Sequence, residues 1–124
     1  MSSKDPGRPY VVITGDTHAG ASVDAYRDYL DPSYRDDFDA WRAAYRNPSK
    51  KHIGGKKTKN WDSAERRADL EGDGVVAEVI FPNTVPPFYD TAFHVSPPPL
   101  PEQYERWRAG TQAHNRWLAE FCAA

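Results

Sequence analysis

The chain has a single cysteine and no long apolar run, and both features restrict what it can be. Because Cys122 is the one cysteine among 124 residues, an internal disulfide and a cysteine-rich zinc site are both excluded. No run of eighteen apolar residues occurs, and the first ten residues lack the apolar segment of a cleaved secretory signal. We therefore expect a cytoplasmic protein that does not span a membrane.

An excess of charge of one sign is also missing. Sixteen basic residues face eighteen acidic ones, for a formal charge of -2, so binding to nucleic acid or to a membrane surface through bulk charge is not expected. The one basic run, "KKHIGGKKTK" at 50–59, has no interleaved aromatic residues. Its composition is typical of a solvated loop, and we predict no nucleic-acid partner.

Two short runs of β-branched and apolar residues predict strands. "YVVIT" at Tyr10–Thr14 stops at Gly15, and "VVAEVIF" at Val75–Phe81 stops at a proline-rich stretch. Neither run alternates between apolar and polar residues. This pattern is typical of parallel strands that are buried on both faces.

Three further segments have helical periodicity. The first begins with Asp31 as N-cap and Pro32 at the first helical position. The second begins at Asp62, with Glu65 three residues later as in a capping box, and the third covers about 101–122. Aromatic residues spaced by three or four form a stripe on the first helix, which is expected to pack against a core. This stripe consists of Tyr34, Phe38, Trp41 and Tyr45.

The order of these elements predicts an α/β protein with a parallel sheet. We divide the chain into a leader (1–9), a first strand with its motif (10–21), a helical insertion (22–60) and a helix–strand–loop–helix segment (61–124). Two parallel strands alone leave both sheet edges open and much of each helix uncovered. We therefore expect residues 1–124 to be the incomplete N-terminal segment of a larger domain.

Candidate ligands follow both strands, where functional groups of parallel α/β proteins collect. Asp16 and His18 supply a carboxylate oxygen and an imidazole nitrogen, which is half of a divalent metal site. The alternative is that Asp16 caps a turn and His18 is an ordinary loop histidine. Asn83 and Thr84 follow the second strand and are candidates for substrate binding, although Asn83 can equally form an Asx turn before the prolines.

Four segments of the sequence together indicate a resemblance to one protein family. They are "GDTHAGA", "YLDPSYRDDFDAW", "LEGDGVVAEVIFPNTVPPF" and "HNRWLAEFC", and in this order they resemble the N-terminal part of the amidohydrolase superfamily, in the branch of aminocarboxymuconate-semialdehyde decarboxylase. The resemblance implies a (β/α)8 TIM barrel with one zinc or manganese ion, of which Asp16 and His18 are two ligands. It also implies hydrolysis or decarboxylation of a small carboxylate or aromatic substrate.

The chain departs from that family in two ways. A barrel needs ~250 residues, and only about two of its eight strand–helix units are present. The family's later metal-binding histidine and its catalytic aspartate have no counterparts, because His52, His94 and His114 do not follow strands. We therefore assign no catalytic residue, and we expect the chain to be inactive alone; whether it joins an oligomer is left open.

Two other interpretations remain open. Calcineurin-like metallophosphoesterases also begin with a strand that leads into Gly-Asp-x-His-Gly, which "TGDTHAG" resembles. Their later motifs are poorly matched, since the Gly72–Asp73 pair precedes a strand and Asn115 lies in a helical pattern. The third interpretation is a non-enzymatic remnant or interaction module, in which the aromatic stripe would bind a partner.

Overall fold

The computed structural model describes residues 10–46, 60–82, 85–89 and 97–124. The predicted leader and most of the lysine-rich loop lie outside these residues. The described part contains two strands and four α-helices, which we number in chain order. They are β1 (Val12–Ala19), α1 (Tyr26–Tyr29), α2 (Arg35–Ala44), α3 (Ser63–Gly72), β2 (Val75–Pro82) and α4 (Tyr104–Ala123).

The two strands pair in parallel, so the predicted parallel α/β arrangement is confirmed. β1 differs from the prediction, because it continues through Gly15 to Ala19. The reason is tertiary: Thr17 pairs with Ile80 and Ala19 pairs with Pro82, so β2 keeps this segment extended beyond the point where a glycine suggests a break. Asp16 and His18 therefore lie within β1, close to its carboxyl end, and not in a loop that follows the strand.

Local signals account for the helix starts. The carboxylate of Asp62 accepts a hydrogen bond of 2.9 Å from the backbone N–H of Glu65, as the predicted N-cap requires. α2 begins after a 3-10 turn at Pro32–Tyr34, and Asp31 caps that turn without a side-chain hydrogen bond. The aromatic stripe packs against the core as predicted: Phe38 and Tyr45 are buried, and Tyr34 and Trp41 are partly buried. The rings of Trp41 and Tyr45 stack at 4.8 Å between centroids. In the described part of the chain, no helix is long and apolar enough to cross a membrane.

The core lies against one face of the sheet. Ala19 and the partly buried Ile80 are the contributions of the strands, and their pairing positions place them on the same face. The helices and the 85–89 turn cover this face. The remaining buried members of the cluster are Ala21, Tyr26, Leu30, Phe38, Phe88, Ala109, Ala113, Trp117 and Phe121.

α4 packs through a face that contains several small residues. Ala109, Gly110 and Ala113 are buried on it, whereas Tyr104 at the start of the helix is 58 % exposed. A Cβ atom at Gly110 would overlap the carbonyl oxygen of Pro87. The helix therefore approaches the 85–89 turn more closely than any residue other than glycine allows.

Phe88 holds that turn in the core. Its φ of 72° is in the left-handed region, which is costly for a residue with a side chain. Its ring packs with those of Tyr34, Phe38 and Trp41 at centroid distances of 6.4, 6.5 and 6.0 Å. Phe88 is therefore part of the buried core.

The other face of the sheet is uncovered. Val79 is 49 % exposed and Phe81 is 45 % exposed, and both alternate with the covered Glu78 and Ile80. The expectation that both strands are buried on two faces is therefore wrong for the described residues, because their helices pack on one face only. Apolar strand residues without a covering layer are unusual in a parallel sheet.

Candidate metal site

Asp16 and His18 project from the uncovered face at the carboxyl end of β1. They are two residues apart on an extended strand, which places both side chains on the same side. Oδ1 of Asp16 lies 3.3 Å from Nε2 of His18, and the side chains are 84 % and 53 % exposed. Two zinc ligands with bonds of ~2.0–2.1 Å at a tetrahedral angle lie about 3.3 Å apart. The separation of the two atoms therefore matches that of two ligands of one ion.

The backbone of β2 orients the imidazole of His18. Its Nδ1 lies 3.3 Å from the carbonyl oxygen of Pro82, and because a carbonyl only accepts, Nδ1 carries the proton when this hydrogen bond forms. Nε2 faces Oδ1 of Asp16, to which it donates when it carries a proton and beside which it could bind an ion when it does not. A ligand histidine whose second nitrogen donates to a backbone carbonyl is the usual arrangement in metal sites. The ring of Phe81 lies beside the imidazole, at 6.1 Å between centroids.

Asp16 and His18 are the two candidate ligands that the structure brings together. No group of three or more His, Cys, Asp or Glu side chains that could hold a metal ion occurs among the described residues. Asn83 and Thr84, the predicted substrate contacts, lie outside those residues. A zinc site normally has at least three protein ligands, so Asp16 and His18 by themselves do not complete one.

Beneath the strand end lies an ion pair that sequence reasoning missed. Nε and Nη2 of Arg66 donate to the two carboxylate oxygens of Glu78 at 2.6 and 2.7 Å, and these side chains are 12 % and 10 % exposed. Nη1 of Arg66 also donates to the carbonyl oxygen of His18 at 3.1 Å. One signal for this pair was present, since a glutamate in the middle of the apolar run "VVAEVIF" requires a partner when it is buried.

The hydrogen bonds from Arg66 lower the pKa of Glu78, against the opposing effect of burial, and a hydrogen bond from Thr17 lowers it further. Glu78 is therefore a carboxylate at neutral pH. A bidentate ion pair of this kind is strong and directional. It connects α3 to β2, and the hydrogen bond from Arg66 to the His18 carbonyl connects α3 to β1 next to the candidate ligands.

Among the residues that the structure describes, the one other histidine does not join Asp16 and His18. His114 is buried in α4, where its Nδ1 contacts the hydroxyl of Tyr26, and His52 and His94 lie outside the described residues. The motifs that a metallophosphoesterase would need are also not at strand ends. Asp73 is the C-cap of α3, and Asn115 lies inside α4.

A separate groove of about 520 Å³ lies against α4. The rings of Tyr89 and Trp107 stack in it at 4.1 Å between centroids, and residues 97–99 form its other side. Neither Asp16 nor His18 lines it. The segment 90–96, which connects Tyr89 to residue 97, lies outside the described residues, so the groove is not assigned to the candidate site.

Comparison of the chain with protein-family models, with curated proteins and with solved structures found no match. The functional interpretation therefore depends on the geometry at the carboxyl ends of β1 and β2.

Proposed function

We propose that the chain forms the first strands of a metal-dependent hydrolase or decarboxylase of the amidohydrolase type, with Asp16 and His18 as two ligands of a zinc or manganese ion. One observation carries the proposal. A carboxylate oxygen and an imidazole nitrogen lie 3.3 Å apart, at the end of parallel strands where such enzymes bind their metal.

The arrangement of the layers supports a barrel. The described helices pack on one face of a parallel sheet, while the other face carries Val79 and Phe81 exposed beside His18. In a (β/α)8 barrel the helices form the outer layer, and the inward residues of the strands fill the interior. The uncovered face of β1 and β2 corresponds to that interior, and six further strands would bury it.

The roles of this chain's own residues follow from their chemistry. As metal ligands, Asp16 would contribute an anionic oxygen and His18 the nitrogen Nε2, while the Pro82 carbonyl would accept a hydrogen bond from Nδ1. A divalent ion at this position would supply Lewis-acid polarisation of a substrate carbonyl or carboxylate, or a water of lowered pKa. The acid–base group that distinguishes hydrolysis from decarboxylation would come from other strand ends, so this chain is expected to be inactive alone.

The substrate class and the location are part of the same proposal. A small carboxylate or aromatic molecule fits the family that the sequence resembles, and the exposed ring of Phe81 beside His18 offers an apolar contact for it. The single cysteine, Cys122, fits the reducing cytoplasm.

The direct test is titration calorimetry with Zn²⁺ and with Mn²⁺. Asp16→Ala and His18→Ala should each weaken binding by at least about tenfold, because each removes one of two ligands. His114→Gln and Asp24→Ala are matched controls that remove a histidine in α4 and an aspartate paired with Arg42, and they should bind as the wild type does. Equal affinity in all five proteins would exclude the metal site and favour a non-enzymatic remnant or interaction module.

A further inference from the structure

The uncovered side of the sheet carries the candidate ligands and an apolar surface next to each other. His18 pairs with Phe81 and Ile13 pairs with Ala77 across the ladder, and residues two apart on a strand point to the same side. The large apolar residues of this surface are 45 to 62 % exposed. We call it the ligand face, and it consists of Ile13, Asp16, His18, Ala77, Val79 and Phe81.

The two ligands of the ligand face are half of what zinc requires. A structural zinc ion is tetrahedral with four protein ligands, so Asp16 and His18 leave two positions open. A two-fold dimer places the same surface of both copies against itself. An ion on the two-fold axis would therefore receive a carboxylate oxygen and an imidazole nitrogen from each copy, which makes four ligands.

The spacing of packed sheets allows this contact. Two sheets stack face to face about 10 Å apart, so an ion midway between them is about 5 Å from each. Strand side chains stand roughly perpendicular to the sheet, and those of Asp16 and His18 are 84 % and 53 % exposed. Both are thus free to point from each copy toward the same central ion.

Charge makes the contact dependent on the ion. Each chain has a formal charge of -2, and the contact brings the Asp16 carboxylates of the two copies close together. Without a cation they repel each other. The charge of Zn²⁺ balances the two carboxylates, so the ion converts this repulsion into attraction.

The size of the ligand face leads to the same conclusion. Two paired strands of eight residues each present a face of about 26 by 10 Å, which is about 250 Å². A stable interface buries about 800 Å² on each partner. The apolar residues therefore contribute to the contact but are too few to hold two copies together without the metal.

We propose that Zn²⁺ joins two copies of this chain through their ligand faces, with Asp16 and His18 of both copies as its four ligands. The inference rests on the proposed function for the identity of the ligands, and it goes beyond that function in naming a second copy as the source of the missing ones. Six further barrel strands would occupy the same face, so the dimer is a property of the 124-residue chain by itself.

The test is sedimentation velocity of the chain with EDTA and with increasing Zn²⁺, together with titration calorimetry for the stoichiometry. We expect a monomer in EDTA and a dimer with Zn²⁺, complete at one ion per two chains and reversed by EDTA. Asp16→Ala and His18→Ala should remain monomeric at the Zn²⁺ concentration that joins the wild type. Asp24→Ala, which loses an exposed aspartate outside the ligand face, should dimerise normally.

A matched pair of substitutions in β2 tests which surface forms the contact. Val79 and Val76 are 49 % and 67 % exposed and three residues apart, so they lie on opposite sides of the strand. Val79→Gln places an uncharged amide in the contact and should weaken zinc-dependent dimerisation at least about fivefold. Val76→Gln should leave it unchanged.

The outcomes distinguish this inference from the proposed function. Zinc bound by a monomer with one ion per chain, and lost in His18→Ala, would overturn the dimer and leave the two-ligand site of the proposed function in place. No zinc binding would overturn both. A dimer in EDTA, a zinc-dependent dimer that persists in Asp16→Ala and His18→Ala, or equal weakening by Val79→Gln and Val76→Gln would each overturn the shared site.

Discussion

The hydroxyl of Tyr26 lies 2.7 Å from Nδ1 of His114 in the core, although the two residues are 88 positions apart in the chain. Burial raises the pKa of the Tyr26 phenol and lowers the pKa of the His114 imidazole, so both are neutral at pH 7. The hydroxyl and Nδ1 form one neutral hydrogen bond, whose donor is set by the tautomer of His114. This bond joins α1, which follows the metal motif, to α4, and Nε2 of His114 has no partner in the part of the chain that the structure describes.

The depressed pKa of His114 predicts a loss of stability in mild acid. Because the folded state resists protonation, the unfolded chain binds the proton first as the pH falls below about 6.5. The free energy of unfolding should therefore decrease from that pH down to the pKa of the folded state. Urea unfolding between pH 7.5 and 5 measures this decrease.

His114→Gln is the matched variant, since it keeps a polar side chain that does not titrate. Its stability should depend less on pH in this window than that of the wild type. Glu78 acts in a lower window, because its pKa is also lowered and its contribution is lost only as the pH falls below about 4.3. Identical pH dependence of the two proteins from 7.5 to 5 would contradict a buried neutral His114.

Replacing Gly110 with alanine should destabilise the protein, although alanine is the better helix former by about 1 kcal/mol in an exposed helix. The added Cβ would overlap the carbonyl oxygen of Pro87, so either α4 or the 85–89 turn must move. Overpacking of this kind costs about 1–3 kcal/mol. The free energy of unfolding from urea denaturation should decrease by that amount.

Gly72→Ala provides the control in the same protein. Gly72 is the last residue of α3, and a Cβ there meets no atom within 4 Å. This variant should be as stable as the wild type or slightly more stable. A stabilised Gly110→Ala would show that α4 does not approach Pro87 closely in solution.

The two faces of β2 should respond differently to the same substitution. Ile80 packs against the core, whereas its neighbour Val79 is 49 % exposed on the uncovered face. Ile80→Thr should lower the free energy of unfolding by about 1–2 kcal/mol, and Val79→Thr should change it by less than about 0.5 kcal/mol. Thermal or urea unfolding of both variants measures the difference.

The same pair of variants tests whether anything covers the uncovered face. If further strands or a second copy bury Val79, then Val79→Thr should weaken that association, which sedimentation or titration with the partner would detect. Equal destabilisation of the isolated chain by both substitutions would show that the two faces are buried to a similar extent, which contradicts the structure.

Much of the secondary structure could be predicted because its signals are local. The hydrogen bond from the N–H of Glu65 to the side chain of Asp62 joins residues only three positions apart. The start of α3 was therefore predicted correctly. The apolar run of β2 was equally clear. The end of β1 was not, because pairing with Pro82, which is 63 positions away in the sequence, keeps Ala19 extended.

The proximity of the candidate ligands could be predicted from their spacing, and the structure brings Oδ1 of Asp16 to 3.3 Å from Nε2 of His18. That they bind a metal ion stays a prediction. The ion pair of Arg66 with Glu78 was not predicted, since it depends on a helix and two strands that meet at one guanidinium.

The amino-acid sequence by itself determined the order of the elements, the parallel α/β class and the two ligand types at the end of β1. These features depend on periodicity, capping and residue chemistry, which act over a few positions. Tertiary structure alone decided that the helices cover one face of the sheet, that Asp16 and His18 lie on the other, and that Arg66 bridges the strands beneath them. The physical reason is that burial and ion pairing depend on contacts between segments that are far apart in the sequence. Local patterns of periodicity and capping do not specify those contacts.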